Sequence, residues 1–455
     1  YFKKTKIETL KTSELATFYH ACAHTFDIPT QSILEPIILK KLAEENDFVE
    51  PLDLLAITDD PKVILKNNKS YYENLEYHLK DLTNTEVAKA KITIAYYSPD
   101  FKSHPITHLV AGLIKNHDRN KFNVLGFSLS DSVRDKFRKR ISLHFDQLFE
   151  IENLSDRSAI QLSRDMGVDI AIDLAGFTAL NRPGLFMNRV AQTQINYLGT
   201  PSTLGSDCHD YIITDRTLTN PEDEIYLTET PIYMDHCFQV NDNARYLPIG
   251  KLDRNFFGLP ERKFVIGCFS SLSKLNDALL TVWIEILASN NETILFIFQP
   301  DEEAHHPIRS YFEHRGISGS RIYFASSAGY EVHLERYLTC DLVLDTAPFC
   351  GGATASDVLW AGVPLISLYG KSYSSRMSSS LLRCLGLEKL ICSSFEEYVE
   401  VANKFIADKK FREEIMEILK ERRNSKLFDT KTFTLEFEKK IISAIGTDQK
   451  QPFPS

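Results

Sequence analysis

From Lys91 onward, short apolar runs alternate with segments whose apolar residues recur every three or four positions. The runs are rich in β-branched and aromatic residues and read as buried strands; the spaced segments read as helices. ITIAYYS, FNVLGFSL, Val168–Leu174, Gln194–Leu198 and YIITD form the first series, with helices predicted over His108–Asn116 and Arg157–Met166. A stretch from about 241 to 259, with NDN, two prolines and a glycine, breaks the rhythm and reads as a linker. The series then restarts with FVIGCFS, TILFIF, RIYFA, DLVLD and PLISL. Between these runs, helices are predicted at Asp277–Ser289, in a segment ending near Arg315, at Tyr330–Leu338 and at Thr354–Trp360, and helices dominate from Ser375 to Ile445. Such alternation predicts βαβ units and parallel sheets.

The first 90 residues carry no strand signal. Helices are predicted over Ser13–Ala23 and Ile33–Leu42, punctuated by Pro29, Pro36 and Pro51, and from Asp59-Asp60-Pro61 to about Lys80. The chain therefore divides into a helical segment (1–90), a first Rossmann-like lobe (91–245) and a second such lobe with C-terminal helices (246–455). Parallel sheets bind ligands beyond the carboxyl ends of their strands, so the expected site is a cleft faced by the two lobes.

At 455 residues the chain exceeds one ordinary core, in line with this division. It begins at Tyr1 rather than Met, and the expectation is a cut or processed chain preceded by more of a helical repeat array. A net charge of −10 without a basic stripe argues against nucleic acid as a partner. Glu421–Arg422–Arg423, in a helical pattern, reads as a solvated face. No apolar run has the ~20 residues a membrane span needs. The eight cysteines include no CxxC pair; they read as reduced thiols of a cytoplasmic protein.

Three segments carry candidate chemistry. In DTAPFCGGATASDVLWAGVP, a strand ends at Asp345, Gly351-Gly352 opens a loop, and Ala353-Thr354 begins a helix. A helix start offers free N–H groups and a favourable dipole to phosphate, and Asp357 is placed for ribose hydroxyls. The same residues also suit a tight turn packing a helix on a sheet. In FSSLSKLND, Lys274 follows a strand and is suited to neutralise a diphosphate, or is simply solvated. In SPDFKSHPITH, Asp100, His104 and His108 share a loop and helix start. They suit proton transfer or sugar binding, or are a capping Asp with two surface histidines. His305-His306 lacks an evident third metal ligand and reads as exposed. No DxD motif ends a strand, so no metal site is expected, and lysine and helix-dipole donors would serve in place of a cation.

Taken together, SPDFKSHPITHL, DIAIDLAGFTALNRPGLF with NYLGTPSTLGSDCHDYIITD, CFSSLSKLND and LVLDTAPFCGGATASDVLWAGVPL resemble the catalytic region of the protein O-GlcNAc transferase family. This is glycosyltransferase family 41, which includes the plant SPINDLY proteins. The resemblance runs from about Lys91 to Ile445, is to a bacterial-type short form, and makes the N-terminal helices a TPR-like remnant. It implies an α/β GT-B fold and inverting, metal-independent transfer, with no cofactor beyond the donor. Lys274 then matches the diphosphate-binding lysine, and Gly351, Gly352, Ala353 and Thr354 the phosphate-binding helix start. Asp357 matches the ribose-binding acid, His333 a nucleotide contact, and Leu198, Gly199, Thr200 and Pro201 a loop facing the sugar. His104 matches an active-site histidine and Asp100 a nearby acid. The chain departs from animal members at Gly352 (histidine there), Tyr330 (lysine) and Ser271 (glutamine near the diphosphate), and no histidine stands near Leu52-Asp53. HPITH and SDVLWAG favour UDP-GlcNAc as donor and Ser/Thr hydroxyls of proteins as acceptors. GDP-fucose-dependent fucosyl transfer, UDP-glucose-dependent transfer and a catalytically silent scaffold are the alternatives.

Overall fold

Seven strands make up the first of two parallel sheets in the computed structural model, which describes residues 9–75, 90–130 and 135–447. They are β1 (Ile92–Ser98), β2 (Phe122–Ser128), β3 (Gln147–Glu150), β4 (Ile170–Asp173), β5 (Thr193–Asn196), β6 (Tyr211–Asp215) and β7 (Thr230–Met234), in the order β3-β2-β1-β4-β5-β6-β7. Ile94 pairs with Val124 on one side and Ile170 on the other, so β1 is central and buried on both faces. Six strands make the second sheet: β8 (Phe264–Cys268), β9 (Thr293–Phe298), β10 (Ile322–Ala325), β11 (Leu342–Leu344), β12 (Leu365–Leu368) and β13 (Ile391–Cys392), ordered β10-β9-β8-β11-β12-β13. In both, the order reverses after the third strand, β4 and β11 lying on the other side of β1 and β8, as in doubly wound folds.

All ten predicted runs form strands. β3, β7 and β13 were not predicted. All three lie at sheet edges, and their half-exposed residues break the continuous apolar pattern of a buried parallel strand. The first-lobe helix begins at Pro105 rather than His108, because proline suits the first helical position and His104 caps it.

Contacts group the chain into two units. One combines residues 65–245 with 426–455 and holds the first sheet; the other combines 1–64 with 246–425 and holds the second. The terminal segments thus pack differently from a simple division at residues 90 and 245. In the first-sheet unit, the final helix, Thr430–Thr447, lays Phe433, Phe437 and Ile441 into the core with Ile94, Val124 and Ile213. Its buried Glu438 accepts from Nδ1 of His117 at 2.9 Å, and the Tyr96 hydroxyl meets the other ring nitrogen at 2.6 Å.

In the second-sheet unit, helices Thr12–Thr25 and Ile28–Glu44 form a hairpin through Phe26 and Asp27. Leu15, Tyr19, Leu34, Ile38 and Leu42 close it against Leu54, Leu55 and Ile64. Pro36 lies inside the second helix and does not end it. The fourth helix is described over Pro61–Glu73; its predicted extension toward Lys80 lies outside the described residues from 76 on. The predicted linker is tied down: Arg254 donates to the carbonyls of Thr339 and Lys263 and to the Asp341 carboxylate. Arg422 is not part of a solvated face. It donates to the carbonyls of Trp360 at 2.7 Å and Ala361 at 3.2 Å, capping the helix Ala353–Ala361 where Gly362 takes φ +85°. Among the described residues no helix is long and apolar enough to cross a membrane, and the eight cysteines are free thiols.

Candidate functional site

Because every strand of the second sheet is parallel, the segments after β8, β10, β11 and β12 emerge at the same edge. The loop after β8 carries Ser271 and Lys274; that after β11 carries Phe349 to Gly352. Lys274 joins them. Its ammonium donates to the Cys350 carbonyl at 3.0 Å and sits 3.5 Å from the centroid of the Phe349 ring. Asn276 adds a second tie, from its side-chain amide to the Ala347 carbonyl at 2.7 Å. Burial pushes the Lys274 ammonium below its ordinary range; the Cys350 and Asp345 side chains act against that.

The loop that precedes the helix is organised by Asp345. One carboxylate oxygen accepts the N–H groups of Thr346 at 2.9 Å and Gly351 at 2.8 Å; the other accepts the Ser367 hydroxyl at 2.9 Å. Ser378 donates to the Gly351 carbonyl at 2.6 Å. The helix Ala353–Ala361 therefore starts from a fixed loop, and Gly352 at its N-cap supplies no side-chain acceptor. The N–H groups of the first turn are left for an anion. Asp357, buried in the same helix, lies near enough to Tyr337 to raise that phenol further above its ordinary range, after the larger effect of burial.

His333 and Tyr330 stand on the helix Tyr330–Tyr337, after β10. Nδ1 of His333 accepts from Arg336 at 3.1 Å, and its Nε2 meets the Tyr337 hydroxyl at 2.8 Å. Both ring nitrogens thus have protein partners, and burial, then Arg336, lowers its pKa to about 3.

In the first-sheet unit, Asp100 and His104 follow β1. His104 caps the helix Pro105–Asn116, its Nδ1 accepting the Ile106 N–H at 3.3 Å, with an Asp100 carboxylate oxygen 3.5 Å away. An Nδ1 that accepts leaves the proton on Nε2, a tautomer assigned from this hydrogen bond. Burial lowers the His104 pKa, against the pull of Asp100. His108 is buried against Phe137 and lowered to about 3 by burial, Arg245 and His104. Leu198 takes φ +72° after β5. A Cβ on Gly199 would lie 2.2 Å from the Leu174 carbonyl oxygen, so only glycine fits there. The Thr200 hydroxyl accepts the Phe177 N–H at 2.6 Å, locking the loops after β4 and β5 together, with Pro201 next to it.

Phe349 and Asp345 were not among the residues singled out from sequence as site residues. Asp345 carried a signal, an acid ending a strand just before a Gly-Gly turn. Phe349 carried none, since nothing local pairs it with a lysine 75 positions earlier. His305, in contrast to the exposed reading, stacks on Phe324 at 3.8 Å. Among the described residues no group of three or more His, Cys, Asp or Glu converges as a metal site.

The two sheets define a doubly wound α/β protein in which the helix after β11 starts without a side-chain cap. Residues 73–252 and 249–437 match the model of Glycosyl transferase family 41, and the chain belongs to that family. It is 29% identical to the probable UDP-N-acetylglucosamine–peptide N-acetylglucosaminyltransferase SEC of Arabidopsis thaliana, over 86% of this chain and 42% of that protein. It is 26% identical to the tomato (Solanum lycopersicum) protein named as the probable SPINDLY enzyme of the same description, over 71% and 35%. The chain spans less than half the length of these curated relatives. A mutant O-GlcNAc transferase from Thermobaculum terrenum superposes with a TM-score of 0.77 at 23% identity, covering 94% of this chain and 83% of that one. It shares the two-sheet fold.

Proposed function

We propose that this chain is the catalytic part of an inverting transferase that moves GlcNAc from UDP-GlcNAc to Ser/Thr hydroxyls of proteins, without a metal ion. The observation that carries the reading is Lys274 held at the Cys350 carbonyl, beside a helix start with no side-chain cap. Family membership and the names of the relatives support it. In the proposed reaction the acceptor hydroxyl attacks the anomeric carbon and UDP leaves. Lys274 and the N–H groups after Gly352 take up the charge that develops on the diphosphate; one such donor is commonly worth roughly 10²–10³ in rate. Asp357 would hold the ribose. Ser271, Tyr330, His333 and the loop Leu198–Pro201 would complete the donor site. With its Nε2 protonated, His104 serves as a hydrogen-bond donor to the sugar rather than as the base. Asp100 or a donor phosphate oxygen accepts the proton. Buried free thiols suit a reducing compartment, and we place the protein in the cytoplasm.

The test is intact-mass analysis of candidate acceptor proteins incubated with UDP-GlcNAc, UDP-glucose or GDP-fucose, with and without a chelator. A HexNAc increment from UDP-GlcNAc alone, unchanged by chelator, is expected. An increment only from GDP-fucose or UDP-glucose replaces the donor. Loss of transfer with chelator overturns the metal-free mechanism.

A further inference from the structure

The Phe349 side chain has two sets of neighbours. Its ring lies 3.5 Å from the Lys274 ammonium. The same side chain packs against the apolar cluster of the N-terminal helices, whose buried members include Leu15, Leu34, Leu54 and Ile64. Helices Thr12–Thr25 and Pro51–Ile57 also pack against the turn Leu272–Lys274. A lysine side chain loses much of its rotamer entropy when it is ordered. An ammonium already fixed before a ligand arrives does not incur that cost again on binding. Phe349 is itself anchored, because its carbonyl accepts the Thr346 hydroxyl at 2.7 Å and the loop is held by Asp345.

We infer that Phe349 is a positioning residue: backed by the N-terminal helical cluster, it holds the Lys274 ammonium over its ring in the orientation that receives a nucleoside diphosphate. The inference rests on the reading of Lys274 as the diphosphate-binding lysine. The N-terminal helices are then part of the donor site's support, acting through one aromatic ring. Leucine at 349 fills the same apolar space without a π-face to hold the cation; tyrosine keeps the face.

The test is calorimetric titration of the full chain with UDP and with uridine. Wild type, Phe349→Leu, Phe349→Tyr, Lys274→Met and the double variant Phe349→Leu/Lys274→Met are compared. Phe349→Leu is expected to weaken UDP roughly tenfold, the size of a lost ordered lysine, and to leave uridine unchanged. Phe349→Tyr is expected to keep wild-type affinity. In the Lys274→Met background, Phe349→Leu is expected to change UDP affinity by less than about twofold, because coupled residues are non-additive. An unchanged UDP affinity in Phe349→Leu overturns the inference. Equal weakening of UDP and uridine, or the same loss with and without Lys274, assigns Phe349 a packing role only and also overturns it. If Lys274→Met binds UDP as wild type does, the diphosphate reading itself falls. If Lys274→Met is weak and Phe349→Leu is not, only the positioning inference falls.

Discussion

The Asp345 carboxylate accepts the Gly351 N–H at 2.8 Å, so an acid at the end of β11 sets the loop that starts the Ala353–Ala361 helix. Burial holds this carboxyl above its ordinary range, and the hydrogen bonds from its neighbours and the charge of Lys274 partly offset that. Asp345→Ala strands two buried N–H groups and is expected to cost about 2–5 kcal/mol. Asp345→Asn keeps an acceptor for both and should cost far less. Denaturant melts of the two variants check the order; equal losses would show that charge, not hydrogen bonding, matters.

Lys274→Met is expected to abolish glycosyl transfer while the thermal melt stays close to wild type. Near-normal turnover in this variant would remove Lys274 from the proposed chemistry.

Gly199→Ala places a methyl 2.2 Å from the Leu174 carbonyl oxygen and 2.7 Å from that of Ala175. Overpacking of this kind costs about 1–3 kcal/mol, and here it also displaces Leu198 and Thr200. A lower melting temperature together with weaker sugar-nucleotide binding is expected. A melt like wild type would show that the loop yields.

Acid should destabilise the fold through its neutral histidines. His108 and His333 are lowered to about 3, whereas an unfolded histidine takes up its proton near 6.5. Between those values the unfolded chain binds more protons, so stability is fully present above about pH 6.5 and falls as pH drops toward 3. Asp345, raised rather than lowered, acts in the opposite sense at the acid end. For the buried His108 the loss between pH 7 and pH 5 is roughly 2 kcal/mol. Melts at the two pH values should differ less in His108→Gln than in wild type; an equal difference would mean that His108 is protonated in the folded chain.

Arg422→Ala removes donors to the Trp360 and Ala361 carbonyls and is expected to lower stability by about 1–3 kcal/mol. Arg422→Lys should recover little of it, because one ammonium does not reproduce the planar fork. Full recovery by lysine would show that charge alone caps this helix.

Much of the architecture is legible in order along the chain. Nine of the ten predicted runs lie inside their sheets and are continuous and apolar because strands covered on both faces need no polar side; the tenth, β10, is an edge strand. The edge strands β3, β7 and β13 lack that mark. In the candidate site, Lys274, the Gly351–Thr354 helix start, Asp100 and His104 stand out because each follows a strand and opens a turn or helix. Arg422 read as surface, because a helix-end carbonyl from residue 360 is invisible to a local pattern.

By itself, then, the sequence determined ten of the thirteen strands, that the sheets are parallel, and which loops are candidates for chemistry. These follow from periodicity and turn residues, which act over a few positions. The tertiary structure decided what touches what across long separations. Helix Thr430–Thr447 closes the first-sheet core, the N-terminal helices pack beside the second sheet, and Phe349 lies under the Lys274 ammonium. Such contacts come from burying apolar faces that no local rule pairs, and so they exist only once the chain has folded.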